Sequence, residues 1–470
     1  MLKNKSRYIC SSCEFVTLGY LGKCPNCDTW NSFILDESEH NLKNKNLNQV
    51  SFNDNFHQEQ FDLNATYFDE PESRLTTGFN NLDNVLGGGL VQGSVVLLAG
   101  EPGIGKSTLL LQLADNIAKT QNTTYISGEE SLKQIGLRAK RLNIQAENLK
   151  VLALQNLEEI FNYLNNLNPK IVIIDSIQTI FTNMLSSTPG SIGQVRESAN
   201  LIIKYAKAKN ITVILIGHVT KDGIVAGPKV LEHAVDVVLQ FESYNLNNLR
   251  VIKSIKNRFG PTSDLVLFSM KTNGLNEVTS PSKFLLHHRF NDHHLEIPAG
   301  SVITATGRGA NSLLMEVQAL ATQTFYPNPK RVVNGFDYNR MLQIIAVLEK
   351  HVGLNLSKYD VYVNIVGGLD ITDTTGDLGV ALSIASSYLN QAIAPMAITL
   401  GEIGLTGEIR PNFDLSKCLK EAIALGITKA VLPNIQEVNI QELNHQYPQI
   451  NIHHAKNLKT AFNIIFNQSK

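Results

Sequence analysis

The chain has 470 residues, and its 41 Lys and Arg against 42 Asp and Glu leave a formal net charge of −1. That length suits two or three domains, and the near balance excludes a uniformly basic nucleic-acid binder, so any polyanion must be met by local positive charge. MLKNKSRYICSSCEF has no apolar signal-peptide core, and no later run approaches the ~18 apolar residues of a membrane span. A soluble, cytoplasmic protein with no membrane partner is expected.

The first block, residues 1–35, carries Cys10-Ser-Ser-Cys13 and Cys24-Pro-Asn-Cys27. Five cysteines in a chain of this length argue against a disulfide scaffold. Two C-x2-C knuckles at this spacing match a four-thiolate zinc site, because each knuckle turns both sulfurs toward one ion. So short a block cannot fold on apolar burial alone, and zinc would supply about 10–16 kcal/mol. A redox dithiol, the other use of such pairs, lacks a thioredoxin-like strand–helix frame here. Trp30, the one tryptophan, is expected to pack against the metal site. Residues 36–70, rich in Asn, Gln, Asp and Glu, read as a polar linker.

Residues 71–276 alternate apolar and helical stretches. Strands are expected at 95–99, 124–127, 171–175, 212–217, 235–241 and 250–255, with helices such as 108–119 and 195–208 between them. That rhythm predicts a largely parallel sheet covered by helices.

Between the first strand and the first helix stands Gly100-Glu101-Pro102-Gly103-Ile104-Gly105-Lys106-Ser107-Thr108. The glycines let successive N–H groups approach phosphates, and the helix N-terminus adds partial positive charge. Lys106 would reach the β- and γ-phosphates of ATP, and the Ser107 hydroxyl would ligate Mg2+. Asp175, at the end of the buried run Ile171-Val-Ile-Ile174, would hold the same ion through water; a plain helix cap is the bland alternative. Glu129, in Tyr125-Ile-Ser-Gly-Glu-Glu130, would orient or deprotonate the attacking water, with Glu130 the second choice and a helix-dipole acid the bland one. His218 closes a strand where it would sense the γ-phosphate or serve structure alone.

From about 283 to 470 the pattern is again mixed, and 361–366, 378–388, 397–401 and 430–433 suggest a separate α/β domain. The histidine-rich run His287-His-Arg-Phe-Asn-Asp-His-His294 reads as solvated rather than metal-binding, for want of Cys or carboxylate partners at ligand spacing.

Taken in order, the cysteine knuckles, GEPGIGKST, YISGEES, IIDSIQT, IGHVTKDG, LEHAVD and IKNRFGPT resemble the bacterial RadA (Sms) family of RecA-like DNA repair ATPases. The resemblance spans nearly the whole chain, and Lys256-Asn-Arg-Phe-Gly260 is its most specific part. It implies an α/β fold class: a RecA-like P-loop ATPase core with a small N-terminal zinc finger and a C-terminal Lon-protease-like α/β domain. It also implies a homo-hexameric ring that binds single-stranded and branched DNA and drives branch migration of intermediates made by RecA recombinase. Lys256 and Arg258 would then act across a subunit boundary on a neighbour's ATP or on DNA. The segments 187–196 and 220–229 look like channel loops, with Arg196, Lys221 and Lys229 as DNA-phosphate contacts. In the Lon-like domain Thr375-Gly-Asp-Leu-Gly379 puts Asp377 where the serine nucleophile would stand, and Ser416, beside Lys417, falls at the lysine position. An inactive scaffold is expected, with Cys418 a small buried residue. A nucleotide-gated ring that loads partner proteins uses the same phosphate site and is not separated by sequence; a peptidase is disfavoured.

Overall fold

The computed structural model describes residues 8–10, 16–17, 22–27, 29–30, 33–35, 73–218, 231–244, 249–262, 265–291, 297–306, 312–412, 414–434 and 440–466. The linker at 36–70, Cys13, Lys221, Lys229, His293 and His294 lie outside these residues. The chain divides into two compact units, Met1–Pro71 and Glu72–Lys470. In the first, Tyr8–Cys10 lies between Val16–Thr17 and Phe33–Leu35 in an antiparallel sheet. Trp30 does not bury itself there as expected: it is 70% exposed, with the Lys23 ammonium 6.0 Å from its ring centre.

The second unit holds two large sheets. Strands of the first are β1 Val95–Gly100, β2 Thr123–Ser127, β3 Leu149–Ala153, β4 Ile171–Asp175, β5 Thr212–His218, β6 Val237–Tyr244, β7 Leu249–Asn257, β8 Leu265–Lys271 and β9 Gly274–Glu277. They lie in the order β9-β8-β7-β6-β1-β5-β4-β2-β3. The helices are α1 Lys106–Ala118, α2 Leu132–Leu142, α3 Leu157–Leu167 and α4 Ile192–Lys209. Because side chains alternate along a strand, Val96 and Leu98 of β1 enter one apolar cluster with Leu109 and Leu113 of α1. Val95 and Leu97 enter another with Ile160 of α3 and Ile202 of α4. A strand buried on both faces must be apolar throughout, which is why VVLLAG reads as an unbroken run.

The part from β1 to β6 is parallel, as expected. β7, β8 and β9 instead extend the sheet antiparallel beyond β6. This extension grips α1: the Gln112 amide donates to Leu275 O at 3.1 Å and accepts from Leu275 N at 2.9 Å.

The second sheet contains β10 Ser301–Thr306, β11 Leu313–Gln323, β12 Arg331–Asn334, β13 Tyr359–Ile365, β14 Ala397–Thr399, β15 Lys429–Pro433 and β16 Asn451–Ala455. Its order is β12-β13-β11-β10-β14-β15-β16. One buried cluster joins Val302, Met315 and Val361 of this sheet to Met341 of α5 Tyr338–Val347 and Leu382 of α6 Asp377–Leu389. Leu249, Val251 and Leu267 of β7 and β8 belong to the same cluster, so the two sheets share apolar core. No helix among the described residues is long and apolar enough to cross a membrane.

Asp377 begins α6 and is wholly buried. Its Oδ2 accepts from both Arg340 Nε, at 3.0 Å, and Arg340 Nη2, and from Ile403 N at 3.1 Å. Burial raises this carboxyl and the guanidinium opposes the rise. Ser416 and Lys417 sit in the exposed first turn of α7 Leu415–Ala424, where Lys417 Nζ lies 3.4 Å from Asp414. Cys418 is buried as expected, and burial pushes its thiol up to about 11, so it is no thiolate at neutral pH.

Removing Arg340 strands the Asp377 charge in the core. Arg340→Ala is expected to lose about 3–5 kcal/mol of unfolding free energy in urea titrations. A loss under about 1 kcal/mol would mean that the carboxylate is not held by this pair.

Candidate functional site

The nucleotide site is built where β1, β2, β4 and β5 end. Between β1 and α1, Gly103 (φ 77°) and Gly105 (φ 116°) take the left-handed backbone. A Cβ on Gly105 would also stand 2.8 Å from the Met270 methyl. Lys106, the first residue of α1, is only 3% exposed. Its Nζ donates to Gly100 O at 2.8 Å, Glu101 O at 2.9 Å and His218 Nδ1 at 3.0 Å. An ammonium only donates, so Nδ1 accepts and the ring proton belongs on Nε2. Nε2 then donates to Glu129 Oε1 at 3.0 Å. The Ser176 hydroxyl donates to the same carboxylate oxygen.

These contacts set the charges. Burial pushes the Lys106 ammonium down to about 8, against the pull of Asp175, Glu129 and Glu101. The hydrogen bond from His218, with those from Ser176 and the Lys106 charge, holds the Glu129 carboxyl at about 2 despite partial burial. Glu129 is thus a carboxylate at any working pH. Glu130 points elsewhere, into an ion pair with Arg138 at 2.6 Å.

Asp175 is 5% exposed at the end of β4, and burial raises its carboxyl. Hydroxyls of Tyr125, at 2.6 Å, and Ser107 donate to it and oppose that rise. The Ser107 hydroxyl and the Asp175 carboxylate therefore meet at the loop mouth. Such an oxygen pair suits a hard divalent cation, which keeps most of its waters.

Lys256 and Arg258 end β7 on the other side of the sheet. Lys256 lies opposite Val238, which pairs with Leu97 in the middle of β1, and Arg258 N bonds Asp236 O, whose own N–H bonds Val95 O at the start of that strand. Lys256 Nζ donates to the carbonyls of Glu232, His233 and Val235 at 2.8, 3.3 and 2.7 Å. Arg258 Nη1 meets Asp236 Oδ1 at 3.0 Å while half of its side chain stays exposed. Arg196 is exposed near the start of α4. The segment before it is less free than its glycines suggest. Buried Gln194 donates to Thr182 O, Leu185 O and Ser187 O at 3.1, 3.1 and 3.0 Å.

The described cysteines of the N-terminal unit form one cluster: the sulfurs of Cys10, Cys24 and Cys27 all lie within 4.8 Å of one another. Cys10 and Cys27 stand 3.7 Å apart. That is the edge of a tetrahedron with Zn–S near 2.3 Å and far outside disulfide length. The donors present fit Zn2+, and no other His, Cys or carboxylate group among the described residues has such spacing.

Residues 62–223 match the family described as AAA domain, and residues 8–34 match the rubredoxin metal binding domain. DNA repair protein RadA of Aquifex aeolicus is 42% identical over 458 residues, covering 97% of this chain and 99% of that protein. The chain belongs to the RadA family. The RadA proteins of Chlamydia muridarum and Rickettsia bellii are 42% and 43% identical, each covering 98% of this chain and 99% of their own length. Among solved structures, a KaiC-like protein of Pyrococcus horikoshii superposes with a TM-score of 0.38 at 21% identity, over 44% of this chain and all of that one.

For this RadA-family site, sequence reasoning named Lys106, Ser107, Glu129, Asp175 and His218, and the fold brings all of them together. It did not name Tyr125, Ser176 or Arg250. A tyrosine in a fully buried strand needs a partner for its hydroxyl, so Tyr125 in TTYIS carried a usable signal. Arg250, which donates from Nε to Ile104 O at 2.9 Å, carried none amid the other basic residues of β7.

Lys106 loses its proton above about pH 8 in the nucleotide-free chain, whereas phosphates would retain it. ATP affinity is expected to be flat below that pH and to fall above it, by up to about tenfold per unit. Calorimetric titration across the range checks this, and an affinity that rises with pH contradicts it.

Proposed function

We propose that the chain is a DNA-stimulated ATPase of recombinational repair. It binds single-stranded and branched DNA and drives branch migration of intermediates made by a RecA recombinase. Membership of the RadA family supports the setting, and the phosphate site supports hydrolysis. The observation that carries the motor reading is the separation of grip and finger along one sheet. Arg258 lies beside Asp236, which bonds Val95 at the start of β1, while the phosphate loop begins at Gly100. At about 3.3 Å per residue that is roughly 15 Å along the strand. A guanidinium there is out of reach of its own nucleotide, and in this reading it serves the one held by a neighbour in a ring, most simply a homo-hexamer.

Within one site the steps follow from the resting contacts. ATP draws Lys106 away from the carbonyls and the imidazole that occupy its three N–H groups. The His218 ring, released by Lys106, can turn to donate its Nε2–H to the γ-phosphate, and it stands at the entrance to 219–230, where Lys221 and Lys229 would contact DNA together with Arg196. Glu129, already ionised, orients the attacking water. Ser107 and Asp175 would hold Mg2+, which would supply positive charge to offset that of the phosphates. The zinc-bound N-terminal unit binds a partner or DNA. The C-terminal sheet, read as Lon-protease-like, is a scaffold without peptidase chemistry, since Asp377 is spent on Arg340.

Lys106→Ala is expected to abolish hydrolysis, and Arg258→Ala to cut it by about 10³-fold. Mixing the two variants should restore part of the activity, because an intact finger then faces an intact loop. Three-strand branch-migration assays with the same mixtures read out movement. No recovery on mixing, or a chain that stays monomeric with ATP and DNA present, rules out the finger in trans. Hydrolysis without movement by the unaltered chain would favour a ring that only loads partners.

A further inference from the structure

We infer that Arg250 is a positioning residue of the nucleotide site, which sets the direction of the Gly105 N–H by pinning the Ile104 carbonyl. The inference rests on the ATPase reading and deepens it.

Ile104 is the one residue between the two left-handed glycines of the loop, Gly103 and Gly105. The plane between Ile104 and Gly105 turns about ψ of Ile104 and φ of Gly105, and the glycine, with no Cβ, tolerates more than one orientation. Something outside the loop must therefore choose. Arg250 Nε donates to Ile104 O at 2.9 Å, and its Nη1 donates to Leu249 O, also at 2.9 Å. The second bond fixes the guanidinium on its own strand, so the first fixes the carbonyl toward β7. In a trans peptide the C=O and the following N–H point in opposite directions. Gly105 N–H must then point away from β7, toward the side on which the loop would take up phosphate. Rotation of that one plane would turn a carbonyl oxygen to that side instead, where it would repel phosphate. The Met270 methyl below Gly105 closes the same side of the loop, and it too comes from the antiparallel extension.

A donor fixed in this way serves substrate and transition state alike, so its loss lowers binding more than turnover. Arg250→Ala is expected to weaken binding of fluorescent ATP and ADP about tenfold or more, to raise KM in parallel, and to leave kcat within about twofold. Arg250→Lys, whose ammonium can still reach Ile104 O, should recover part of the affinity, and the melting temperature should stay near that of the unaltered chain. Unchanged ADP and ATP affinity in Arg250→Ala overturns the inference. So does a large fall in melting temperature that Arg250→Lys does not relieve, which marks a residue that only holds the fold. If the unaltered chain bound neither nucleotide, the ATPase reading itself would fall.

Discussion

One buried ammonium organises the catalytic end of this molecule. Lys106 has almost no access to water, and an unpaired charge there would cost several kcal/mol. Its three N–H groups are all used, two on carbonyls at the end of β1 and one on His218 at the end of β5. That last bond dictates the imidazole tautomer, and the tautomer dictates that an acceptor stand beyond it. Glu129 is that acceptor. Strands β1 and β5 must therefore lie in register, His218 beside Gly100, and the turn after β2 must bring Glu129 over them. Satisfying one cation thus places the candidate base, His218 and the phosphate loop in a single arrangement. The same contacts make the resting site a competitor of ATP, because phosphate must offer Lys106 more than the groups it leaves.

The strand β7 gives that arrangement a second anchor. At its head Arg250 holds the phosphate loop. At its tail Lys256 gathers three carbonyls at the end of the turn beginning at Leu231, as a cation caps a helical C-terminus. The turn that follows is locked in place: Asn257 Nδ2 donates to Val85 O, and Arg74 donates to both Leu86 O and Phe259 O. A Cβ on Gly87 would strike Phe259 O at 2.7 Å. Nucleotide grip and exposed guanidinium are thereby two ends of one stiff element. Lys256 is spent inside its own chain, whereas Arg258 keeps half of its side chain exposed.

What could be read in the sequence was whatever requires particular residue types at fixed spacing. The glycines, lysine and serine of the loop, the carboxylates at strand ends and the cysteine knuckles are of this kind. So are strands buried on both faces, whose apolar runs leave no alternative. The antiparallel strands β7 to β9 were only partly legible, because their half-exposed faces mix Arg, Lys and Ser with the apolar residues. Helices α2 and α3 lie between expected strands, where helices were anticipated but not delimited. Contacts made by a backbone carbonyl, such as Ile104 O with Arg250 or the three oxygens around Lys256, leave no mark in the sequence of the acceptor. Gln194 shows the converse error: a glycine-containing stretch looked deformable until one buried amide tied its root.

Asp377 is a carboxylate given over wholly to structure. A nucleophile must be approachable, yet this carboxylate is wholly buried, takes two donors from Arg340 and one from the Ile403 amide, and begins a helix. Each of those bonds ties a different segment to the head of α6: the helix α5 through Arg340, and the strand Glu402–Ile403 through its backbone. Arg340 also donates to Ile403 O, so the guanidinium bridges both. An activated hydroxyl could not replace this carboxylate without leaving a buried guanidinium short of its counter-charge. The pair at this position thus holds the fold, and any replacement of the carboxylate would have to rebuild the packing around α6.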